Sequence, residues 1–452
     1  MRWILIGIFV VLGCSDSDSD ASSADTGEDT VVAPDITEDD ADTVVTSDID
    51  ELVDTKTDTD TQPDVPSECA LQVNKTGTDS PQCGSVKEPC ATITHTLKMA
   101  KSGCIQVGPG TYNQTSGETF PLRLAGLELR GAGHHPDDSP TIIDGSSGPN
   151  SKLFDIECPS GKTTLHKATL VMEGNAVATG IIAKAPLSGS KQFALLVLSG
   201  SSDIHDLRTE GGIDGIYVAG ASVVSIRDSQ ITLAGHAGIK PGGTSQVTID
   251  HCVIWQNKDA VEPVCKAKTI IQNTEAVCNG NGLEALGGAH TTLIGNHVHH
   301  NENGVAARGA NAFISMRDNV VENNKYGVLM LASTLDMGST DDPGNNTFVN
   351  NEFASLMLRN VSNTTMAVGN TWMPNVDGAN ESGQYTADVK LSVSAETCPN
   401  TSFAGSIDKA IPANCTGSGS VTPDTNYQNI VLFNGSCSDT PDGGMPSVIL
   451  SE

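Results

Sequence analysis

Aromatic side chains are scarce in this sequence of 452 residues, at 4%, and basic ones are outnumbered, with 25 Lys and Arg against 55 Asp and Glu. The shortage of rings, set beside 46 glycines, disfavours a helical globule and suits a chain of many turns and narrow layers. A formal net charge of −30 argues against nucleic acid and anionic lipid surfaces as partners, since their phosphates would be repelled. Long apolar runs are missing as well: none approaches the roughly 20 residues that a membrane-spanning helix requires. Of the 12 cysteines, no two are spaced C-x-x-C, which argues against a zinc knuckle or a thioredoxin-like site.

The acid that is present is unevenly placed. Residues 15–67 hold 18 Asp and Glu against the single Lys56 and contain no aromatic residue. Such a segment cannot bury enough apolar surface to offset its ordering entropy, so it is expected to stay disordered and extended by like-charge repulsion. A calcium-binding tract is the alternative reading. Residues 68–452, with 37 acids and 23 bases, are only moderately acidic, which suits cation binding or a neutral sugar polymer.

Ahead of the acidic tract, Arg2 precedes an apolar run that closes with Val11-Leu12-Gly13-Cys14. That string resembles the bacterial lipobox, which implies cleavage before Cys14 and acylation of its thiol. The expectation is an exported chain anchored to a membrane through Cys14 and displayed at the outer membrane or cell surface. Residues 1–13 are then a signal peptide and 14–67 a tether. Among the other cysteines, Cys69, Cys83, Cys90 and Cys104 lie close together and are expected to form two local disulfides, with three connectivities open.

The strongest internal signal is a repeat. Gly215-Ile216-Tyr217-Val218 recurs as Gly238-Ile239-Lys240-Pro241, Ala260-Val261-Glu262-Pro263, Gly282-Leu283-Glu284-Ala285, Gly304-Val305-Ala306-Ala307 and Gly327-Val328-Leu329-Met330, at spacings of 22 or 23 residues. Second strands such as Val247-Thr248-Ile249 and Thr292-Leu293-Ile294 run between them. One turn of a three-sided parallel β-helix needs about this length. A leucine-rich horseshoe has a similar period, but its L-x-x-L-x-L-x-x-N frame is absent. Strand alternation then sorts the faces. Ile216, Ile239, Val261, Leu283, Val305 and Val328 point inward, as does the column from Val218 to Met330.

Nearer the N-terminus, a helix-compatible stretch from Thr94 to Lys101 is followed by Val107-Gly108-Pro109-Gly110-Thr111-Tyr112, Phe120-Pro121-Leu122, Leu127-Glu128-Leu129-Arg130-Gly131 and Ile142-Ile143-Asp144-Gly145. This order resembles the DUF1565 family, a domain of unknown function related to pectin-lyase-like proteins, over roughly residues 79–330. The resemblance implies an all-β, right-handed parallel β-helix with a short helical cap, and brings no activity with it. Residues 68–150 are read as this cap and the first coils, 151–375 as the β-helix, and 376–452 as final coils and a C-terminal cap. A monomer is expected.

The outward column reads Tyr217, Lys240, Glu262, Glu284, Ala306, Leu329, flanked by Asp214, Asp259, Asn281, Asn303 and Arg308. Adjacent coils stand about 4.8 Å apart, so these residues form one wall. Lys240 relieves Glu262, whereas Glu262 against Glu284 is unfavourable without a cation or a shared proton. Asp259, Glu262 and Glu284 can supply oxygen ligands for Ca²⁺, and Lys240 or Arg308 can act on the C5 proton of a uronate. This layout is similar to that of β-helix polysaccharide lyases. The plainer reading is a solvent-exposed ladder of mixed charges. No lyase R-x-P-x-x-R string is present, and Gly235-His236-Ala237-Gly238 only echoes the glycosidase G-H-G motif, without its carboxylate partners. His297-Val298-His299-His300 reads as a turn-region group with no carboxylate nearby. Asn296, Asn301, Asn303, Asn319, Asn323 and Asn324 read as stacked turn ladders.

Two functions follow from the wall Asp214, Tyr217, Asp259, Glu262 and Glu284. The first is a non-catalytic binding module at the cell surface, for carbohydrate or a surface partner. The alternative is a calcium-assisted lyase or epimerase acting on uronate polymers, with Lys240 and Arg308 catalytic.

Overall fold

A coil of some 22 residues with one or two inward side chains per strand cannot bury a core by itself. It becomes stable only when the next coil stacks on it and its strands pair in parallel. The computed structural model describes residues 69–135, 139–147, 154–156, 164–187, 191–359 and 364–373, with the strands Ala387–Ser392, Ser402–Ala404 and Ala410–Ile411. The expected signal peptide, the tether and most of the C-terminal cap, with Cys14, Cys158, Cys398, Cys415 and Cys437, lie outside the described residues.

The chain winds as a right-handed parallel β-solenoid of about 11 turns, about 23 residues apart. Three parallel sheets run its length: a first of 13 strands beginning at Leu71–Val73, a second of 11 beginning at Gly110–Asn113, and a third of 13 beginning at Leu122–Ala125. The expected inward column stacks in register from Ile216 on Ile239 through Val305 on Val328, every member fully buried. Each large member contributes about 1.5–3 kcal/mol on burial. The repeat strands read from the sequence belong to the third sheet and the Val247-Thr248-Ile249 type to the first. The second sheet escaped that reading because its strands are short. Gln230–Thr232, Glu275–Val277 and His297–His299 each hold three residues, too few to display an alternation.

The N-terminal end of the core is closed by helix Ile93–Met99, which begins one residue earlier than the sequence suggests because Thr92 caps it. Thr92 accepts from the His95 amide, and the buried Glu118 carboxylate accepts from the amides of Ile93 and Thr94, both at 2.8 Å. Of the three open connectivities the structure contains Cys69–Cys104 and Cys83–Cys90, which pin this cap. Cys252 is a buried thiol whose pKa is pushed up to about 12 by burial, so it is inert as a nucleophile.

Two asparagine ladders line the corners. In one, the amides of Asn257, Asn279, Asn301 and Asn324 each donate to the Oδ1 of the asparagine one coil on, ending at Asn351. The other runs through Asn296, Asn319 and Asn346 to Asn370. Two of the six expected ladder residues belong elsewhere. Asn303 is part of a third-sheet strand, and Asn323 occupies a left-handed turn at φ 52°.

Candidate functional site

The third sheet brings the outward wall together. Tyr217 pairs with Lys240, Glu284 with Ala306, Asp259 with Asn281, and Asn281 with Asn303. The open ladder of charges is corrected by burial: Asp214, Asp259, Glu262 and Glu284 are each at most 5% exposed. They sit in and around a groove of about 310 Å³, whose lining includes His236, Lys258, Asp259, Glu262, Glu284 and Arg308. Carboxylates that point away from the core yet are sheltered from water keep their charge only at a cost, unless they are paired.

The pairing is uneven. Lys240 Nζ lies 2.5 Å from Glu262 Oε2, and the same oxygen is 3.2 Å from His236 Nδ1. His236 Nδ1 also meets Asp214 Oδ1 at 3.0 Å, an oxygen that accepts from the Ala237 amide as well. The hydrogen bond to Asp214 raises the imidazole pKa, with Glu262 adding to it, against the opposing effects of burial and Lys240. Burial raises the pKa of Glu262, opposed by Lys240 and His236. Asp259 accepts from Asn281 Nδ2 at 2.5 Å, and Asn281 in turn accepts from Asn303.

Glu284 is the least satisfied of the four. Arg308 Nε stands 3.3 Å from its Oε1, within ion-pair range, yet that buried oxygen receives no hydrogen bond. The Arg308 N–H does not aim at that oxygen, so charge alone acts between them. Burial, with the charge of Asp259 next, lifts the Glu284 carboxyl to about 7. The groove therefore holds a carboxyl group that keeps a proton near neutrality beside other carboxyl groups, the arrangement that proton transfer requires.

The residues named from sequence are not all equivalent. Lys240 is tied up as the counter-ion of Glu262, while Arg308 stands within ion-pair range of Glu284 without bonding its buried oxygen. Tyr217 is buried and stacks on Phe193 with ring centroids 5.0 Å apart, in an apolar cluster at the N-terminal end of the wall. The three side chains whose ligand atoms converge within 4.8 Å are His236, Asp259 and Glu262, which replaces one carboxylate of the expected calcium set by a nitrogen donor. His236 and Lys258 were missed as wall residues. The signal existed in the register: 236, 258, 280 and 302 form one more column beside that of Asp259. At the other end, Tyr326 continues the Asn281–Asn303 column and stacks on Phe353 at 4.9 Å.

A family model described as "Protein of unknown function (DUF1565)" matches residues 75–376. No curated protein matches the sequence. Among solved structures, the A-module of the Azotobacter vinelandii mannuronan C-5 epimerase is 14% identical, with 73% of this chain and 90% of that one covered at a TM-score of 0.34. A pectate lyase is 11% identical over 78% of this chain and 82% of its own, at 0.37. A periplasmic alginate epimerase is 12% identical over 69% and 75%, at 0.41.

Proposed function

The chain belongs to the DUF1565 family, and since that membership carries no activity, we propose from the groove itself that the protein binds a glycan along the third sheet and cleaves it by proton transfer. The observation that carries this reading is Glu284: buried, raised to about 7, and facing the groove with an oxygen that receives no hydrogen bond. It gives its proton to the glycosidic oxygen as the C–O bond breaks, while a neighbouring carboxyl group, Glu262 or Asp259, takes a proton from the water that adds to the anomeric carbon. A polymer lying along the solenoid axis meets the same columns coil after coil, with Tyr326 as an aromatic platform beside Asn303. Four sheltered carboxylates favour a neutral glycan over a polyuronate.

A second reading keeps calcium-assisted elimination or epimerisation of a uronate polymer. The convergence of Asp259 and Glu262 favours it, since a cation there would offset their repulsion, with the nitrogen of His236 outside the oxygen set that Ca²⁺ takes. Release of reducing ends from a panel of neutral and uronate polymers, followed with and without Ca²⁺, separates the two. Glu284→Gln should slow cleavage by roughly 100-fold or more while leaving binding intact. Unsaturated product that depends on Ca²⁺ would select the second reading. Neither binding nor product across the panel would remove both.

Display at a membrane surface through acylated Cys14 is part of the same proposal, supported by the string Val11-Leu12-Gly13-Cys14 and the acidic tract behind it. Cys14→Ser should move the protein from the membrane fraction to the soluble one; unchanged partitioning would contradict the anchor.

A further inference from the structure

Among the described residues outside the groove, a group of metal-ligating side chains lies on the outer face of the second sheet. Strand register builds it: Glu275 pairs with His297, and His299 with Glu322, on three successive coils. The next outward positions are valines: Val253 and Val277 on one side, Val320 and Val349 on the other. Two imidazoles and two carboxylates are thus confined to a small polar island in an apolar surface.

Within the island the contacts run diagonally. His299 Nε2 meets Glu275 Oε1, and His297 Nε2 meets Glu322 Oε1, each at 2.9 Å. The rings of His297 and His299 stack with centroids 4.2 Å apart. Ligand atoms of Glu275, His297 and His299 all fall within 4.8 Å of one another. Donors bound about 2.0–2.2 Å from a tetrahedral zinc ion stand roughly 3.4 Å apart, so small side-chain rotations suffice to close the set. His299 Nδ1 lies 2.7 Å from His300 Nδ1, so one of the two must carry the hydrogen. When His300 donates, His299 Nε2–H donates to Glu275; when His299 donates through Nδ1, its Nε2 is left as a lone pair free to take a metal ion. His300 then acts as the outer partner that orients a ligating imidazole.

We propose that Glu275, His297 and His299 form a site for a divalent transition-metal ion of the zinc or copper kind, with Glu322 at its edge and a coordination position open to solvent. Two nitrogen donors and a carboxylate match that class, whereas Ca²⁺ takes oxygen ligands. The earlier reading of these histidines as a turn group without a carboxylate does not survive the register, because the acids come from the coils before and after.

Copper(II) titration of the full-length chain, followed by electron paramagnetic resonance, tests this. One equivalent should bind with hyperfine coupling to two nitrogens, Zn²⁺ should displace it, and Ca²⁺ should not. His297→Gln and His299→Gln should each remove one coupled nitrogen and weaken binding by about tenfold or more. Glu275→Gln, nearly isosteric and outward-facing, should weaken binding while both nitrogens remain, and His236→Gln in the groove should change nothing. Unchanged binding in both His297→Gln and His299→Gln, or loss of the signal in His236→Gln, would overturn the assignment.

Discussion

Glu284 shows what a single carboxyl can impose on the pH behaviour of the whole fold. Its ordinary pKa of 4.5 applies to the unfolded chain, and about 7 to the folded one. Between those values the native state holds a proton that the unfolded state has lost, so stability falls as pH rises through that window. The loss amounts to roughly 3 kcal/mol and is complete above about pH 7. Glu284→Gln removes the slope. Its melting temperature should exceed that of the wild type above about pH 7 and converge with it near pH 4.5. Parallel curves for the two proteins would place the titration elsewhere. Glu262 and Asp259 were legible in the sequence because their distance from the glycine position fixes their face. His236 was missed because it stands in a corner between two sheets where no alternation applies, and only the 22-residue register points to it.

At the scale of the element, the corners specify as much as the strands. Asn301 Oδ1 accepts from the Asn279 amide, while its Nδ2 donates to the carbonyls of Ala276 and His299, all at 2.9 Å. Removing the side chain strands several buried polar groups, each costing about 1–3 kcal/mol. Asn301→Ala should therefore lower stability by about 2–4 kcal/mol, read as a drop in the urea midpoint. Asn323→Ala, one residue before the ladder position of the next coil, should cost less. The two positions look alike in sequence. A one-residue offset decides whether the amide enters the ladder or sits at a left-handed turn, and only the path of the corner sets that offset.

At the scale of the molecule, stability passes from coil to neighbouring coil, so the ends matter most. The Cys69–Cys104 bridge spans 35 residues and ties the first strand to the second of the first sheet. Loop closure of that length contributes roughly 3–4 kcal/mol, and the Cys83–Cys90 bridge, spanning 7 residues, contributes less. Replacing Cys69 and Cys104 by serine should speed amide hydrogen exchange in the first coils and leave the coils around Val305 protected. Uniform loss of protection along the solenoid would mean that the cap and the central coils unfold as one unit.

The sequence by itself determined the coil, its period and its inward columns, because a strand exposes its alternation directly and the repeat multiplies that signal. It also determined which acids share a wall, since coils of constant length put residues 22 apart side by side. Only the tertiary structure decided that this wall is a sheltered groove, that Lys240 pairs with Glu262 while Arg308 borders Glu284, and that His236 joins them. Shelter depends on side chains from several coils closing over one another, and ion pairing on side-chain rotamers. Neither leaves a periodic trace in the chain.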